Sequence, residues 1–492
     1  MKIRRNITKI ASVILCAALL TVAMATSAFA AAPTESGMID IAVSDSDAAF
    51  VANHLDALET VRDGALKLKS NIDISDYRLT ESELSSLFAA LRAVYPELFF
   101  VDLQYRYSYK TIGGVNYTSS LLLSYDVSSV SELNAMLDKF YSKADGYLSL
   151  VDDSMNDFTK ALVLHDAIVM NSEYFVAKDG VSGTPYTLMV EGWGKCEDYS
   201  RAYAFLLAQL GIKSELVTSS SMNHEWMKIR LDGKYYQVDI TWDDPISAEE
   251  GTDFPGRVSH EYFLFSDSTF PNHSGYYMIN QSADTTYDSY YIHNMDSQLC
   301  MVKGAIYGIY CAKGESETKL VTYTARNEMT TVADLGAAVQ DSDDFWAAHW
   351  RSNGNNYYVC SYTNLCSDSG LLYYNMPKAV YVYDPASGVN LKLADYSGSN
   401  QLFGLKIADG KLYGNDSAQT NSSGTLAELG GCLMMGDVDG DGVLNVVDAT
   451  MIQKKVADLA KFDATNTIKA DFDRDGKITV NDVTAIQYEI AK

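Results

Sequence analysis

The stretch Gly192-Trp193-Gly194-Lys195-Cys196-Glu197-Asp198-Tyr199 constrains the fold more than any other part of the chain. One cysteine stands between a glycine-punctuated turn and an amphipathic run. Tyr199, Ala202, Tyr203, Leu206, Leu207 and Leu210 recur in steps of three and four, the spacing of one helix face. Gly211 follows where a left-handed C-terminal cap is wanted. The pattern predicts a buried helix that starts at Cys196. Free peptide N–H groups and the positive end of the helix dipole at that point favour a thiolate. Most lone cysteines are small buried hydrophobes; what distinguishes this one lies downstream.

Glu215-Leu216-Val217-Thr218 reads as a strand, and two more follow, opening at His224 and closing at Asp239. Asp232-Gly233 between them is a hairpin turn signal. A hairpin brings its open ends side by side, so the His224 imidazole and the Asp239 carboxylate can meet. That supplies the parts of a thiol nucleophile: Cys196 attacks, His224 takes and returns the proton, and Asp239 orients the ring.

At these residues the chain resembles the bacterial branch of the transglutaminase-like superfamily of papain-like thiol enzymes. The matching features are Cys196-Glu197 opening a helix, His224-x-Trp226, the Asp-Gly-Lys hairpin, and Val238-Asp239-x-Thr241-Trp242-Asp243. The resemblance implies a core from about Phe158 to about Tyr277, beginning with the helix through Ala161–Asp166 and ending with Tyr262-Phe263-Leu264-Phe265-Ser266. One departure stands out: many members carry glycine two residues after the cysteine, where this chain has Asp198. An acid there suits the helix dipole and disfavours a nearby thiolate.

The chain has 492 residues, room for several domains. Lys2, Arg4, Arg5 and Lys9 precede an apolar run from Ile10 to Ala25 and then Ser27-Ala28-Phe29-Ala30. That order predicts a secretory signal peptide cut after Ala30, and the run is short for a membrane span. The expected location is therefore extracellular, with no membrane attachment after cleavage. A formal charge of −26 repels nucleic acid and anionic membranes. Of seven cysteines, Cys16 leaves with the signal, and Cys196 is the nucleophile. Cys300, Cys311, Cys360, Cys366 and Cys432 remain, an odd set with no complete pairing, although a disulfide between two of the first four is compatible with it.

The fold class expected is multidomain α+β, in five segments. Residues 1–30 are the signal peptide and 31–157 an N-terminal α+β module, with helices near 49–68, 80–95 and 133–148 and strands from Leu98 and Leu121. Its Tyr95-Pro96-Glu97-Leu98-Phe99-Phe100 resembles the module that often precedes bacterial transglutaminase-like cores, a packing support. Residues 158–284 are the transglutaminase-like α+β core. Residues 285–428 form an all-β module of recurring tyrosines and short strands. Phe403-Gly404-Leu405-Lys406 before Asp409-Gly410-Lys411 resembles pieces of propeller repeats, with a sandwich and a partial array both open. Asn415 to Gly424 reads as a linker.

Residues 429–492 carry a second strong signal. Two loops place oxygen side chains at positions 1, 3, 5, 9 and 12 with glycine at 6, the EF-hand-type calcium cage. One uses Asp437, Asp439, Asp441, Asn445 and Asp448; the other uses Asp471, Asp473, Asp475, Thr479 and Asp482. Val443 and Lys477 contribute backbone carbonyls at position 7. Each loop feeds a helix, with Met451, Ile452, Val456 and Leu459 on one apolar face and Val483, Ile486 and Ile490 on the other. The duplicated loop-helix pattern with Asp at position 12 resembles a type I dockerin. The resemblance implies two Ca²⁺ ions, no cofactor for the thiol core, and docking to a cohesin of a scaffoldin in a cellulosome. Its contact positions correspond to Val446, Val447, Gln453 and Lys454 in one half and Val480, Asn481, Gln487 and Tyr488 in the other.

Together these features predict a secreted, cellulosome-associated thiol enzyme. It acts on amide or peptide bonds of a protein or peptide substrate through an acyl-enzyme, with hydrolysis favoured over amine transfer by family resemblance. Two alternatives are an amine-transferring, crosslinking enzyme and a non-catalytic binding or assembly component.

Overall fold

The computed structural model describes residues 39–42, 53–175, 177–178, 181–246, 253–276, 280–310, 317–337, 363–417 and 425–492. The signal segment 1–30, Cys311 and Cys360 lie outside them. Two units result: residues up to Asp243 with Tyr262–Ser289, and Asp244–Glu261 with Tyr290–Lys492. The thiol core, expected as one run over 158–284, is thus interrupted. The segment Asp244–Glu261 leaves it and belongs to the second unit.

The first unit opens with β1 (Ile39–Ala42), α1 (Leu55–Ala65), β2 (Ile72–Asp73), α2 (Glu81–Val94), β3 (Val101–Ile112), β4 (Val115–Tyr125) and α3 (Val130–Leu148). Thr80 caps α2: the Glu83 N–H donates to its hydroxyl at 3.4 Å, and its own N–H donates to the Glu83 carboxylate at 2.7 Å. The strand expected from Leu98 begins at Val101. Pro96, with φ fixed, starts a 3₁₀ turn over Pro96–Leu98 instead. Arg62 of α1 reaches Glu97 at 2.9 Å, both groups buried. Phe99 packs on Tyr186 and Phe140, and Phe140 on Phe205, so the leading module joins the core along an aromatic seam.

The core follows with α4 (Asp157–Asn171) and the short strands β5 (Glu173–Tyr174), β6 (Ala177–Lys178), β7 (Val181–Ser182) and β8 (Trp193–Gly194). Then come α5 (Cys196–Gln209), β9 (Ser214–Ser219), β10 (His224–Leu231), β11 (Lys234–Val238) and β12 (Phe263–Phe265). The sheet order is β1-β9-β10-β11-β12, with β1 parallel to β9 and the other pairs antiparallel. Asp232 (φ 50) and Gly233 (φ 83) are both left-handed, the geometry of a tight hairpin, and Leu231 pairs with Lys234. Gly211 (φ 77) closes α5: its N–H donates to Ala208 O and that of Ile212 to Leu207 O, both at 3.0 Å.

Tyr199, Tyr203, Leu206 and Leu207 of α5 are fully buried, and the Tyr203 hydroxyl donates to Ala161 O of α4 at 2.7 Å. Glu225 of β10 faces α5. Trp226, one residue on, therefore points to the opposite face, where it packs with Val217, Phe265 and Phe270.

His165 of α4 is completely buried. Its Nδ1 lies 3.0 Å from Asp166 and its Nε2 3.2 Å from Asp243, which in turn accepts the Tyr262 N–H at 2.9 Å. Burial pushes His165 toward the neutral form, but the hydrogen bonds and charges of Asp166 and Asp243 outweigh it and raise its pKa to about 9. Its contribution to stability is fully present below the ordinary value of 6.5 and is lost as pH rises through about 9. His165→Leu leaves two carboxylates buried without this partner and should cost about 3–5 kcal/mol. Thermal unfolding should show a lower midpoint at pH 10 than at pH 7 in the native chain. The variant should show a smaller difference.

The second unit is built on antiparallel meanders. They are β13 (Cys300–Val302), β14 (Ala305–Tyr310), β15 (Glu317–Tyr323) and β16 (Met329–Ala337); β17 (Leu365–Asp368), β18 (Leu371–Met376), β19 (Ala379–Tyr383) and β20 (Asn390–Asp395); and β21 (Gln401–Ala408), β22 (Lys411–Ser417) and β23 (Thr425–Gly431). Their leading strands stand together: the Cys300 thiol lies 3.6 Å from Leu365 O and the Cys366 thiol 3.3 Å from Leu405 O. Among the described residues this is a partial array of blade-like sheets rather than a sandwich. Leu405 N–H donates to Gly256 O at 3.1 Å. Gly404 (φ 145) is required there, because a Cβ would meet Gly256 O at 2.6 Å.

Asn415–Ser417, expected as linker, lie in β22, with Asn415 opposite Leu426 and buried; strand pairing overrides their turn-like composition. Tyr373, Tyr374 and Tyr383 are buried strand residues. Cys300, Cys366 and Cys432 are free, and no disulfide occurs among the described residues.

The tail adds α6 (Val446–Val456), α7 (Ala464–Ala470) and α8 (Val480–Ile490) around Val438, Ala449, Ile452, Ala470, Val483 and Ile486. Val456, Leu459 and Ile490, expected on the buried faces, are exposed: α6 stops at Val456 and Asp458 (φ 59) turns the chain away. Arg474, in the second acidic loop, is buried against the β sheets. Its Nη2 donates to Asp384 at 2.6 Å and to Gly370 O at 2.8 Å, and Lys303 donates to its carbonyl. Among the described residues no helix is long and apolar enough to cross a membrane.

Candidate active site

Cys196 is the first residue of α5, where a backbone N–H has no intrahelical acceptor. It follows a π-helical turn over Thr187–Glu191 that ends at Gly192 (φ 79) and the short strand β8. The helix start is anchored from two sides. Asp198 accepts the Lys195 N–H at 3.0 Å. Arg201 forks onto Glu225 at 3.1 and 3.2 Å and reaches Glu197 at 3.1 Å, while Lys195 also contacts Glu197. Because Glu225 adjoins His224, the bidentate fork fixes the first turn of α5 against the start of β10.

Asp198 fills space left by two glycines. A Cβ on Gly183 would strike its Oδ2, and one on Gly194 would lie 3.0 Å from its Cβ. The carboxyl is fully buried, and its Oδ1 has no hydrogen-bond partner among the described residues. Burial, with a smaller push from the charge of Glu197, raises its pKa to about 7 against the pull of the Lys195 amide. The acid that replaces the family's glycine is therefore partly neutral near pH 7.

His224, Asp239 and Cys196 converge as the hairpin argument expects. His224 Nε2 lies 2.6 Å from Asp239 Oδ2, and the Cys196 side chain lies near enough to the ring to act on its charge. The imidazole stacks between Trp242 (5.2 Å) and Trp226 (5.7 Å). Burial disfavours its charged form, but Asp239 and Cys196 outweigh burial and raise its pKa to about 9. Asp239 is completely buried, which works against its charge; hydrogen bonds from His224 and His273 nonetheless hold it below the usual carboxylate range. Its Oδ1 accepts the N–H groups of Thr241 at 3.0 Å and Trp242 at 3.2 Å.

Two neighbours escaped the sequence reading. His273 Nε2 sits 2.9 Å from the same Asp239 oxygen. The pattern held no hint of it, because His273 lies in an irregular turn beyond β12. The half-buried Tyr174 phenol has a raised pKa, through burial first and then the charges of Cys196, Asp198 and Asp239. Trp242, part of the matched motif, acquires its reason as one wall of the imidazole slot.

In the tail, the carboxylates of Asp437, Asp439 and Asp448 lie within 4.8 Å of one another, as do those of Asp471, Asp473 and Asp475. Asp441 turns to the Val443 N–H at 2.8 Å, and Asp482 to the amides of Asp473 and Thr479. Asn445 and Thr479 cap α6 and α8. Asn445 also donates to the Val443 carbonyl at 3.0 Å, and Lys477 N–H donates to Asp475 at 2.8 Å. These residues fit a hard divalent cation. Asp471 Oδ1 is buried with no hydrogen-bond partner among the described residues, and its pKa is raised by burial, against the Gly476 amide, and by the Asp482 charge. Val446, Val447, Gln453, Lys454, Val480, Asn481, Gln487 and Tyr488 are all exposed.

Comparison with known proteins matches two stretches of the chain to named families. Residues 148–240 match the model of the transglutaminase-like superfamily, and the chain carries a core of that kind. Residues 435–490 match the model of the dockerin type I domain, and the tail is a type I dockerin. The first class is one of thiol enzymes; the second binds calcium and a cohesin and indicates an extracellular, cellulosome-associated protein. A crystal structure of a candidate cysteine protease from Cytophaga hutchinsonii is similar to the chain at 15% identity and a TM-score of 0.18. The match covers 29% of this chain and 63% of that one, less than two thirds of its length. No curated protein matches the chain.

An imidazole titration by NMR should find the His224 midpoint well above 6.5, toward about 9, and Asp239→Asn should bring it down. Chelation of the whole chain with EDTA should reduce far-UV helical signal and open residues 435–490 to protease, both reversed by calcium. Equal traces in EDTA and calcium would show that the tail folds without the ion.

Proposed function

We propose that the protein is an exported thiol enzyme that hydrolyses amide or peptide bonds through an acyl-thioester at Cys196 while its tail docks on a scaffoldin cohesin. The observation that carries this reading is the Cys196–His224–Asp239 line: a thiol at a helix start, beside an imidazole that is tied through Nε2 to a buried carboxylate. His224 accepts the thiol proton, the sulfur adds to the scissile carbonyl, and the amine leaves with that proton from His224. Water then adds to the thioester with His224 as base, the acid departs, and the thiol is restored. The unpaired N–H at the head of α5 is one donor for the oxyanion. Two calcium ions hold the acidic loops, so that Val446, Val447, Gln453 and Lys454, with Val480, Asn481, Gln487 and Tyr488, present the cohesin-facing surface.

The mature protein and its Cys196→Ala variant, each incubated with casein and a labelled primary amine, separate the alternatives by mass spectrometry. New peptide termini with the native protein alone are the expected result. Label on glutamine side chains with the native protein alone would mean amine transfer instead. Identical spectra, with no thiol chemistry on casein, would favour a binding or assembly role.

A further inference from the structure

Asp239 has a second imidazole. His273 lies in the turn after β12, its side chain fully buried. Its Nδ1 is 2.7 Å from Pro271 O and its Nε2 2.9 Å from Asp239 Oδ2. A carbonyl and a carboxylate only accept hydrogen bonds, so a ring facing both is satisfied fully when both nitrogens carry a proton. The ring's surroundings suit a cation. Phe270 stacks on it at 4.0 Å and 23°, with Trp242 at 4.4 Å and Trp226 at 4.6 Å. Asp239 Oδ2 thus receives His224 on one side and His273 on the other, while Oδ1 takes two backbone amides. Each oxygen has two donors, and the carboxylate has no freedom to rotate away from His224.

We propose that His273 is a positioning residue of the thiol site: it locks the Asp239 oxygen that orients His224 and, as an imidazolium, shares that carboxylate's charge. This rests on the thiol-enzyme reading of Cys196. Thiolate, His224 imidazolium, Asp239 and His273 then form a cluster with no net charge, which a buried pocket holds more readily than a lone anion. The other titratable groups near it are Tyr262, whose ring lies 5.8 Å from His273, and Tyr174 and Asp198 on the cysteine side.

The test uses the full-length protein with His273→Gln, which keeps a donor toward Asp239 without a charge, and His273→Phe, which keeps the aromatic packing without a donor. The readouts are the His224 titration midpoint by NMR, the rate at which iodoacetamide alkylates Cys196 against pH, and the thermal midpoint. With the charge gone, Asp239 acts on His224 alone, so His273→Gln should move the His224 midpoint up by about one unit. His273→Phe should slow Cys196 alkylation at pH 7 about tenfold, as expected of an imidazole whose orienting carboxylate has come loose. A His224 midpoint and alkylation profile unchanged in His273→Gln overturn the proposal, whatever the thermal midpoint does, and leave His273 a packing residue. If His273→Phe does not fold, His273→Gln decides alone. The thiol-enzyme reading fails separately, in the native protein: Cys196 would then alkylate at pH 6–7 no faster than the same thiol in the unfolded chain.

Discussion

The buried Asp239 carboxylate is the constraint around which the thiol unit is arranged. A charge in the interior persists only when its oxygens are fully paired. Four donors meet that condition here, and between them they fix three pieces of chain. His224 brings in β10, the Thr241 and Trp242 amides shape the turn after β11, and His273 pins the loop beyond β12. Asp243 repeats the device a turn later, joining His165 of α4 to the Tyr262 backbone. The segment Asp239–Asp243 is thus a knot of paired carboxylates between the strands and the helices. The geometry that the chemistry requires and the geometry that burial demands are the same.

Much of this was legible because it follows local rules. The three- and four-residue steps after Cys196, the glycine at 211 and the Asp-Gly turn gave α5 and the β10–β11 hairpin with their ends in place. The acidic loops were legible for a comparable reason: a calcium cage is written within twelve consecutive residues. Contacts made across long separations were not. Nothing around His273 announces that it meets Asp239, because the turn that carries it has no period. The same holds for Asp244–Glu261, whose partners Phe403 and Leu405 lie far along the chain. Composition misled in one place. Asn415–Ser417 look like linker, yet they are held by ladder hydrogen bonds on both sides of β22.

Asp198 illustrates how a departure from a family pattern is absorbed. An ionised carboxylate two residues from the Cys196 thiol would oppose a thiolate there. Burial moves this acid toward its neutral form, and the missing side chains of Gly183 and Gly194 give it room. Its one paired oxygen serves the helix start through the Lys195 amide, so the position still works as a cap. The substitution is accommodated by its surroundings rather than tolerated at the surface.

The dockerin is joined to its neighbour by more than chain connectivity. The second acidic loop is fastened to the β sheets by the Arg474 fork onto Asp384 and Gly370, and Gly476 lies where any side chain would strike Ala386 O. Such a joint transmits force. A cohesin pulling on the dockerin would load the strands around Asp384 directly, instead of first drawing a slack tether taut. The dockerin and the sheets beside it would then move as one lever arm, held together by a buried guanidinium rather than by a free length of chain.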